Sequence, residues 1–166
     1  MKNLVFIGMP AVGKSTVGVV VAKSLGYDFV DTDLMIQAQE QRLLKTIIEE
    51  DGIEGFLAIE NQVNRDLEVE HTVIAPGGSV IYCEEAMEAF KTHAHVIYLK
   101  VSYEEINRRI QNAKNRGVVL REDQTLQMLY EERTALCEKY ADIIVEEDGK
   151  TVEETINDVL EICKNL

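Results

Sequence analysis

Short apolar runs alternate along the chain with longer segments in which apolar residues recur every three or four positions. Most of the short runs are rich in β-branched residues, which is typical of parallel strands that are covered on both faces. They occupy residues 4–7, 29–30, 72–75, 96–99 and 143–145. Because the segments between them have helical spacing, the pattern predicts βαβ units around a mainly parallel sheet, which is an α/β fold.

The longer segments predict amphipathic helices. The first covers residues 16–25, and its inward face consists of Val17, Val20, Val21 and Leu25. Capping-box patterns at Ser102 and Thr151 open two further helices, and residues 124–140 form the longest helical candidate. The apolar positions predicted on the last helix are Val152, Ile156, Val159, Leu160 and Cys163.

Length and composition narrow the class of protein. The chain has 166 residues, of which 46% are hydrophobic, and we assign residues 1–166 to a single globular domain. A formal net charge of −13 repels phosphate backbones and anionic lipid, so we expect neither a nucleic-acid partner nor a membrane partner. Cys83, Cys137 and Cys163 are an odd set without metal-ligand spacing, which favours buried or half-buried thiols in a reducing cytoplasm.

A phosphate-binding pattern follows the first predicted strand. Residues 8–16, GMPAVGKST, fit G-x-x-x-x-G-K-[ST] at every fixed position and lie between a strand and a helix, as that pattern requires. The predicted nucleotide-binding residues are Gly8, Ala11, Val12, Gly13, Lys14, Ser15 and Thr16. Backbone N–H groups of such a loop hold phosphate oxygens, Lys14 would contact the β- and γ-phosphates, and the Ser15 hydroxyl would bind Mg²⁺.

The loops after the second and third strands carry further candidates. Asp31 and Asp33 follow the second strand, where one carboxylate could hold the hydration shell of Mg²⁺ and the other could accept the proton of an attacking hydroxyl. Helix capping is the alternative interpretation of such acids. Gly77 and Gly78 follow the third strand, where a ligand can approach the backbone closely, or where the chain simply turns.

One stretch contradicts the acidic character of the chain. Residues 106–121 contain five basic side chains and no acid. With the polar residues in its middle, this stretch predicts a cationic lid at about 110–122 that closes over a nucleotide, and a solvated basic face is the alternative. Arg133 lies within the apolar stripe of the longest helix, so it needs an anionic partner from the protein or from a ligand.

This ordered set of motifs resembles the shikimate kinase family over residues 2 to about 146. The resemblance implies a three-layer P-loop kinase fold, in which a five-stranded parallel sheet of order 2-3-1-4-5 has helices on both faces. It also implies ATP and Mg²⁺ as cofactors and transfer of the γ-phosphoryl group to the 3-hydroxyl of shikimate. We therefore expect a cytoplasmic monomer that acts on a small hydroxylated carboxylic acid.

The resemblance assigns roles residue by residue. Asp31 matches the acid that helps to bind the metal through water, and Asp33 matches the acid that contacts the substrate hydroxyls and acts as base. Gly77 and Gly78 match backbone groups that touch the substrate. Arg133 matches an arginine that pairs with the substrate carboxylate.

Two more arginines match positions on the nucleotide side. Arg109 matches the arginine beside adenine, and Arg116 matches the lid arginine that reaches the phosphates. The catalytic residues that the resemblance implies are Lys14, Asp33 and Arg116.

The chain departs from the family pattern at three places. The family's Phe-Arg-x-x-Glu reads FLAIE over residues 56–60, so Leu57 replaces one of two arginines that hold the shikimate carboxylate. The family's three glycines read Pro76-Gly77-Gly78, and its lid motif Arg-Pro-Leu-Leu reads RGVV over residues 116–119. The nucleotide half of the pattern is kept, whereas the acceptor half is eroded.

Three functions therefore stay open at the level of sequence. The first is a shikimate kinase, and the second is a kinase of a different small hydroxylated acceptor that suits Leu57. The third is a non-catalytic, nucleotide-binding regulatory module. Retention of Lys14, Asp33 and Arg116 favours catalysis, because a module that only binds nucleotide needs no base.

Overall fold

A computed structural model describes residues 2–112 and 121–166 of the chain. Most of the predicted lid, with Lys114 and Arg116, lies outside the described residues.

Five strands form one parallel sheet in the order β2-β3-β1-β4-β5. They are β1 (Asn3–Ile7), β2 (Asp28–Asp31), β3 (Thr72–Ala75), β4 (Ala94–Lys100) and β5 (Ile143–Glu146). The sheet confirms the expected fold class and strand order, and each predicted run lies within an observed strand. Four of the five strands extend by one to three residues beyond the predicted runs, mostly at polar residues that also join the ladder, and β3 coincides with its run.

Seven α-helices accompany the sheet in the described ranges. They are α1 (Lys14–Leu25), α2 (Thr32–Glu40), α3 (Leu44–Arg65), α4 (Glu84–His93), α5 (Tyr103–Asn112), α6 (Leu126–Tyr140) and α7 (Val152–Cys163). A single 3₁₀ turn, Val80–Tyr82, precedes α4. Within this part of the chain, no helix is long and apolar enough to cross a membrane.

Both faces of the sheet are covered, as the apolar strands require. Leu4 and Phe6 belong to the apolar cluster on one face, whereas Val5 and Ile7 belong to the cluster on the other. This alternation follows from the two-residue period of a strand. The three cysteines are all buried and free, which confirms the expected thiols.

Helices α2 and α3 have a small apolar cluster of their own, formed by Ile36, Ile47, Phe56 and Val63. The sequence pattern did not predict these two helices. Gly52 interrupts the helical backbone of α3 with φ 75 and ψ 174, so the helix has no continuous apolar stripe. Helix α2 follows β2 directly, and α3 packs against both α2 and α4.

Two side chains predicted to face inward are exposed. Val20 is 39% exposed and Val152 is 54% exposed. Val152 is the first residue of α7 and lies at the end of that helix, away from the core. Helix α1 presents Gly18 to the sheet, close to Phe29 and Val73, and this orientation leaves the Val20 side chain partly exposed to solvent.

The close packing at Gly18 yields a stability prediction. A Cβ atom at this position would lie 2.9 Å from a ring carbon of Phe29, so Gly18→Val overpacks the contact between α1 and the sheet. We expect the free energy of unfolding to fall by about 1–3 kcal/mol in urea titrations. Ser24→Val adds the same side chain at an exposed site of α1 and should change stability by less than about 0.5 kcal/mol. Equal effects at the two positions would contradict the overpacking argument.

Candidate active site

The phosphate loop connects β1 to α1 and has a strained backbone. Gly13 adopts φ 83, and Ala11 also has a left-handed conformation, with φ 67. Gly8 lies so close to β4 that a Cβ atom would come 2.8 Å from the carbonyl oxygen of Leu99. The two glycines were expected from the pattern, whereas the strain at Ala11 has no signal in the sequence. Strain of this kind is concentrated at functional sites.

Lys14 lies across this loop. Its Nζ donates to the carbonyl oxygens of Gly8 and Met9 at 3.1 and 3.0 Å, and the side chain is buried. Burial lowers the pKa of Lys14 to about 8, although the charge of Asp33 opposes the shift. An anion held by the loop would therefore favour the protonated lysine, since an opposite charge stabilises the cation.

Asp31 uses both of its carboxylate oxygens. Oδ1 accepts from the N–H groups of Asp33 and Leu34 at 3.0 and 3.4 Å and so caps α2. Oδ2 accepts from the Ser15 hydroxyl at 3.0 Å. Capping and metal binding were alternative interpretations of Asp31, but the geometry is compatible with both. The paired Ser15 and Asp31 oxygens suit a hard cation that keeps several of its waters.

Asp33 lies in the first turn of α2 and faces the loop after β3. Burial raises the pKa of Asp33 to about 6, with a smaller contribution from the charge of Asp31, while Lys14 lowers it. Oδ1 is buried and has no hydrogen-bond partner among the described residues. A Cβ atom on Gly77 would lie 2.7 Å from this oxygen, so glycine at 77 leaves the space that the carboxylate occupies.

Glu60 is a second buried carboxyl group, which sequence reasoning did not assign to the site. Its Oε1 accepts from the Ser79 hydroxyl at 2.6 Å, and its Oε2 has no partner in the described parts of the chain. A Cβ atom on Gly77 would lie 3.0 Å from Oε2. Burial raises the pKa of Glu60 to about 7, and the Ser79 hydrogen bond opposes this shift. The only signal in the sequence was its place in the FLAIE segment.

Arg133 extends from α6 and is 7% exposed. A Cβ atom on Gly78 would lie 3.1 Å from its Nη1, which explains the second glycine of the loop. The guanidinium carbon lies over the Tyr82 ring, 5.5 Å from the ring centroid. The inward orientation predicted for Arg133 is therefore observed, with an aromatic ring beside the cation.

One cavity of about 800 Å³ brings Lys14, Asp33 and Arg133 together, whereas Asp31 and Glu60 lie outside its lining. The predicted site residues that line it are Ala11, Gly13, Lys14, Ser15, Thr16, Asp33, Gly77, Gly78 and Arg133. Helix α3 supplies an apolar wall made of Leu44, Ile48, Ile53, Phe56 and Leu57, and its Lys45 and Glu49 also line the cavity. The cavity thus combines a phosphate loop, a carboxylate, one buried guanidinium and an apolar surface.

The remaining predicted residues lie around this cavity. The side chain of Val12 packs in the core, so only its backbone is available to a ligand. Arg109 donates to the Ala11 carbonyl oxygen at 3.1 Å and lines a neighbouring pocket with Glu105 and Glu147. Glu147 is buried, and burial raises the pKa of this carboxyl group to about 7. Arg109 is therefore held against the outside of the phosphate loop.

Comparison with known proteins relates this chain to shikimate kinases. The family model described as shikimate kinase matches residues 10–164. A shikimate kinase from Burkholderia lata is 34% identical over 161 residues, which covers 95% of this chain and 88% of that protein.

Solved structures extend this similarity to the fold. A shikimate kinase from Acinetobacter baumannii in complex with shikimate has a TM-score of 0.90 at 27% identity, covering 99% of this chain and 94% of that one. A shikimate kinase from Aquifex aeolicus has a TM-score of 0.85 at 31% identity, covering 98% and 96%.

The buried Glu60 makes stability depend on pH. Its pKa is about 7 in the folded protein against an ordinary value of 4.5, so the folded state binds the proton more tightly. The contribution to stability is complete below about pH 4.5 and is lost as pH rises through about 7. Glu60→Gln removes this titration, and we expect the decline in unfolding free energy between pH 4.5 and 7.5 to shrink by about 2–3 kcal/mol.

Asp33 and Glu147 have raised pKa values of about 6 and about 7, so a decline of the same sign persists in the Glu60→Gln variant. Denaturant titrations across this pH range measure the difference. Glu68→Gln, at an exposed glutamate, is the matched control and should leave the wild-type slope intact. An unchanged slope in Glu60→Gln would show that Glu60 is already ionised in the folded protein.

Proposed function

The chain belongs to the shikimate kinase family, whose members use ATP and Mg²⁺, and on this premise we propose that it phosphorylates the 3-hydroxyl of shikimate. The observation that carries the proposal is the meeting of Lys14, Asp33 and Arg133 around one cavity. These three groups suit a phosphate, a hydroxyl and a carboxylate, which are the groups that the reaction must bring together. The shikimate named for the Acinetobacter baumannii structure has this chemistry on the acceptor side.

The phosphate loop suits the triphosphate of ATP. Left-handed backbone at Ala11 and Gly13 gives the loop the concave form in which successive N–H groups can face an anion. Lys14 is already oriented across the loop by two carbonyl oxygens and can transfer its hydrogen bonds to phosphate oxygens. Arg109 would lie near the base, because it contacts the outer side of the same loop.

Ser15 and Asp31 are the residues that would hold Mg²⁺. Their side-chain oxygens lie 3.0 Å apart, and Asp31 is fixed by its cap on α2. When bound, the ion would neutralise charge on the phosphate oxygens. The protein residues contribute positioning, which is the main requirement of phosphoryl transfer.

Asp33 is proposed to orient the acceptor hydroxyl and to take up its proton. A pKa of about 6 leaves this carboxylate mostly ionised at neutral pH, yet basic enough to accept a proton during transfer. Its unpartnered Oδ1 is available for a hydroxyl, and Gly77 keeps the approach open. Arg116, which lies outside the described residues, remains the proposed lid cation for the phosphates.

Arg133 is proposed to bind the carboxylate of the acceptor, with Gly78 beside it. The position that supplies a second arginine in the family is occupied by Leu57, which lines the apolar wall. Loss of one charge-assisted contact to a carboxylate costs about 1.5–3 kcal/mol, or roughly ten- to a hundredfold in affinity. We therefore expect a higher KM for shikimate than two arginines would give.

The apolar wall also supports a second candidate, a kinase whose acceptor is less polar on the side that faces α3. Coupled assays of ADP release with shikimate, gluconate and homoserine would separate the two candidates. Preference for shikimate supports the first proposal, whereas a lower KM for another acceptor supports the second. Tight ATP binding without transfer to any acceptor would support a regulatory module.

A reducing compartment such as the cytoplasm fits this function. Cys83, Cys137 and Cys163 are all buried and free, and the Sγ atom of Cys83 lies 3.8 Å from Oε1 of Glu60. Burial raises the pKa of Cys83 to about 12, which keeps the thiol protonated and unreactive.

Asp33→Asn tests the proposed base. The amide keeps the shape of the side chain but cannot accept the proton, so we expect kcat to fall by about 10²- to 10⁴-fold, with KM for ATP within about twofold. Asp28→Asn, at an exposed aspartate at the start of β2, is the control and should retain wild-type turnover. A kcat within about threefold of wild type in Asp33→Asn would remove Asp33 from this role.

Leu57→Arg tests the acceptor side. The new guanidinium would lie one helical turn before Glu60, whose Oε2 can accept a hydrogen bond, and near the carboxylate proposed at Arg133. We expect KM for shikimate to fall by about tenfold or more with KM for ATP unchanged. Leu57→Met keeps an apolar side chain of similar volume and should behave as wild type. A rise in shikimate KM in Leu57→Arg would favour an acceptor that uses the apolar wall.

A further inference from the structure

Arg133 differs from the other arginines that the structure describes. Each of the others has a carboxylate oxygen within 4.0 Å: Arg42, Arg65, Arg108, Arg109 and Arg121. Arg133 is only 7% exposed. Within residues 2–112 and 121–166, it nevertheless has no carboxylate oxygen within 4.0 Å. Its Nε is also buried without a hydrogen-bond partner there. A buried guanidinium without a carboxylate partner needs another source of stabilisation.

Tyr82 supplies a favourable contact to this cation. The guanidinium carbon lies 5.5 Å from the centroid of the ring, within the range of a cation–π interaction. Tyr82 ends the 3₁₀ turn Val80–Tyr82, which follows directly from the Gly77-Gly78 loop, and it lines the same cavity. The segment after β3 thus approaches Arg133 at two places, Gly78 and Tyr82.

The type of support matters for binding. A carboxylate partner would neutralise the guanidinium and occupy the paired N–H groups that a ligand carboxylate needs. The face of an aromatic ring attracts the cation through its quadrupole and carries no net charge. A cation held in this way retains its full charge for an anionic ligand.

We infer that Tyr82 is a positioning residue that sets the affinity of this protein for the carboxylate of its acceptor by holding Arg133 in place of an ion pair. The inference rests on the proposed function, since it takes the acceptor to be a carboxylic acid. Leu57 makes binding of the acceptor depend more strongly on Arg133, because position 57 supplies no second arginine to bind the same carboxylate. Orientation of one guanidinium then decides how well the acceptor is bound.

Paired substitutions separate the ring from the hydroxyl group. Tyr82→Leu removes the ring face but stays apolar, and we expect KM for shikimate to rise by about 2- to 30-fold. Both kcat and KM for ATP should stay within about twofold, because the phosphate loop is untouched. Tyr82→Phe keeps the ring and should have a shikimate KM within about twofold of wild type.

A double-mutant cycle with Arg133→Met tests whether Tyr82 acts through Arg133. In the Arg133→Met background, Tyr82→Leu should no longer weaken shikimate binding, measured as Kd by calorimetry so that the comparison does not depend on turnover. Thermal unfolding with and without ADP checks that each variant keeps its fold and its nucleotide site.

Several results would overturn the inference. An unchanged shikimate KM in Tyr82→Leu would show that the ring is dispensable, and an equal defect in Tyr82→Phe would assign the effect to the hydroxyl. Additive effects in the double-mutant cycle would show that Tyr82 acts independently of Arg133. If wild-type protein phosphorylates only an acceptor without a carboxylate, the proposed function fails first, and this inference falls with it.

Discussion

The carboxylate of Asp31 connects the two halves of the candidate site. One oxygen caps α2, which fixes the direction in which Asp33 enters the cavity, and the other accepts from Ser15 at the start of α1. Both contacts follow from the position of Asp31 at the end of β2, because helices α1 and α2 begin near that edge of the sheet. The phosphate loop and the proposed base are thereby held in one geometry by a single side chain. Ligand sites in parallel sheets lie at this edge for the same reason.

Charge is distributed unevenly in this acidic protein. The net charge is −13, yet Lys14 and Arg133 are among the few charged side chains that the described structure buries. The buried acid Glu60 lies near them, and its raised pKa reduces the negative charge that it brings to the cavity at neutral pH. The site can therefore receive anions although the surrounding surface repels them.

Sequence patterns predicted the sheet well because its strands are apolar on both faces and its loop motif is contiguous. The closeness of Lys14 and Asp33 also followed, since both lie just beyond the ends of parallel strands. Arg133 lies in the middle of α6, and only the family resemblance placed it beside them. Glu60 and Tyr82 were not predicted. Their importance depends on contacts with Ser79 and Arg133, which are distant in the sequence, so no local pattern indicates them. Helices α2, α3 and α4 were not predicted from the pattern either. In α3, Gly52 interrupts the helical backbone and divides the apolar stripe.

Leu57 has a packing role in addition to its place in the cavity wall. Its side chain packs against the small cluster of α2 and α3 and also against the cluster on one face of the sheet. The residue thus joins two layers that otherwise have separate cores. The same side chain therefore serves the packing of the protein and, in the proposed function, the recognition of the acceptor. A substitution at residue 57 that improves binding of the acceptor would therefore also alter the packing between the two clusters, so stability and specificity cannot be changed independently at this position.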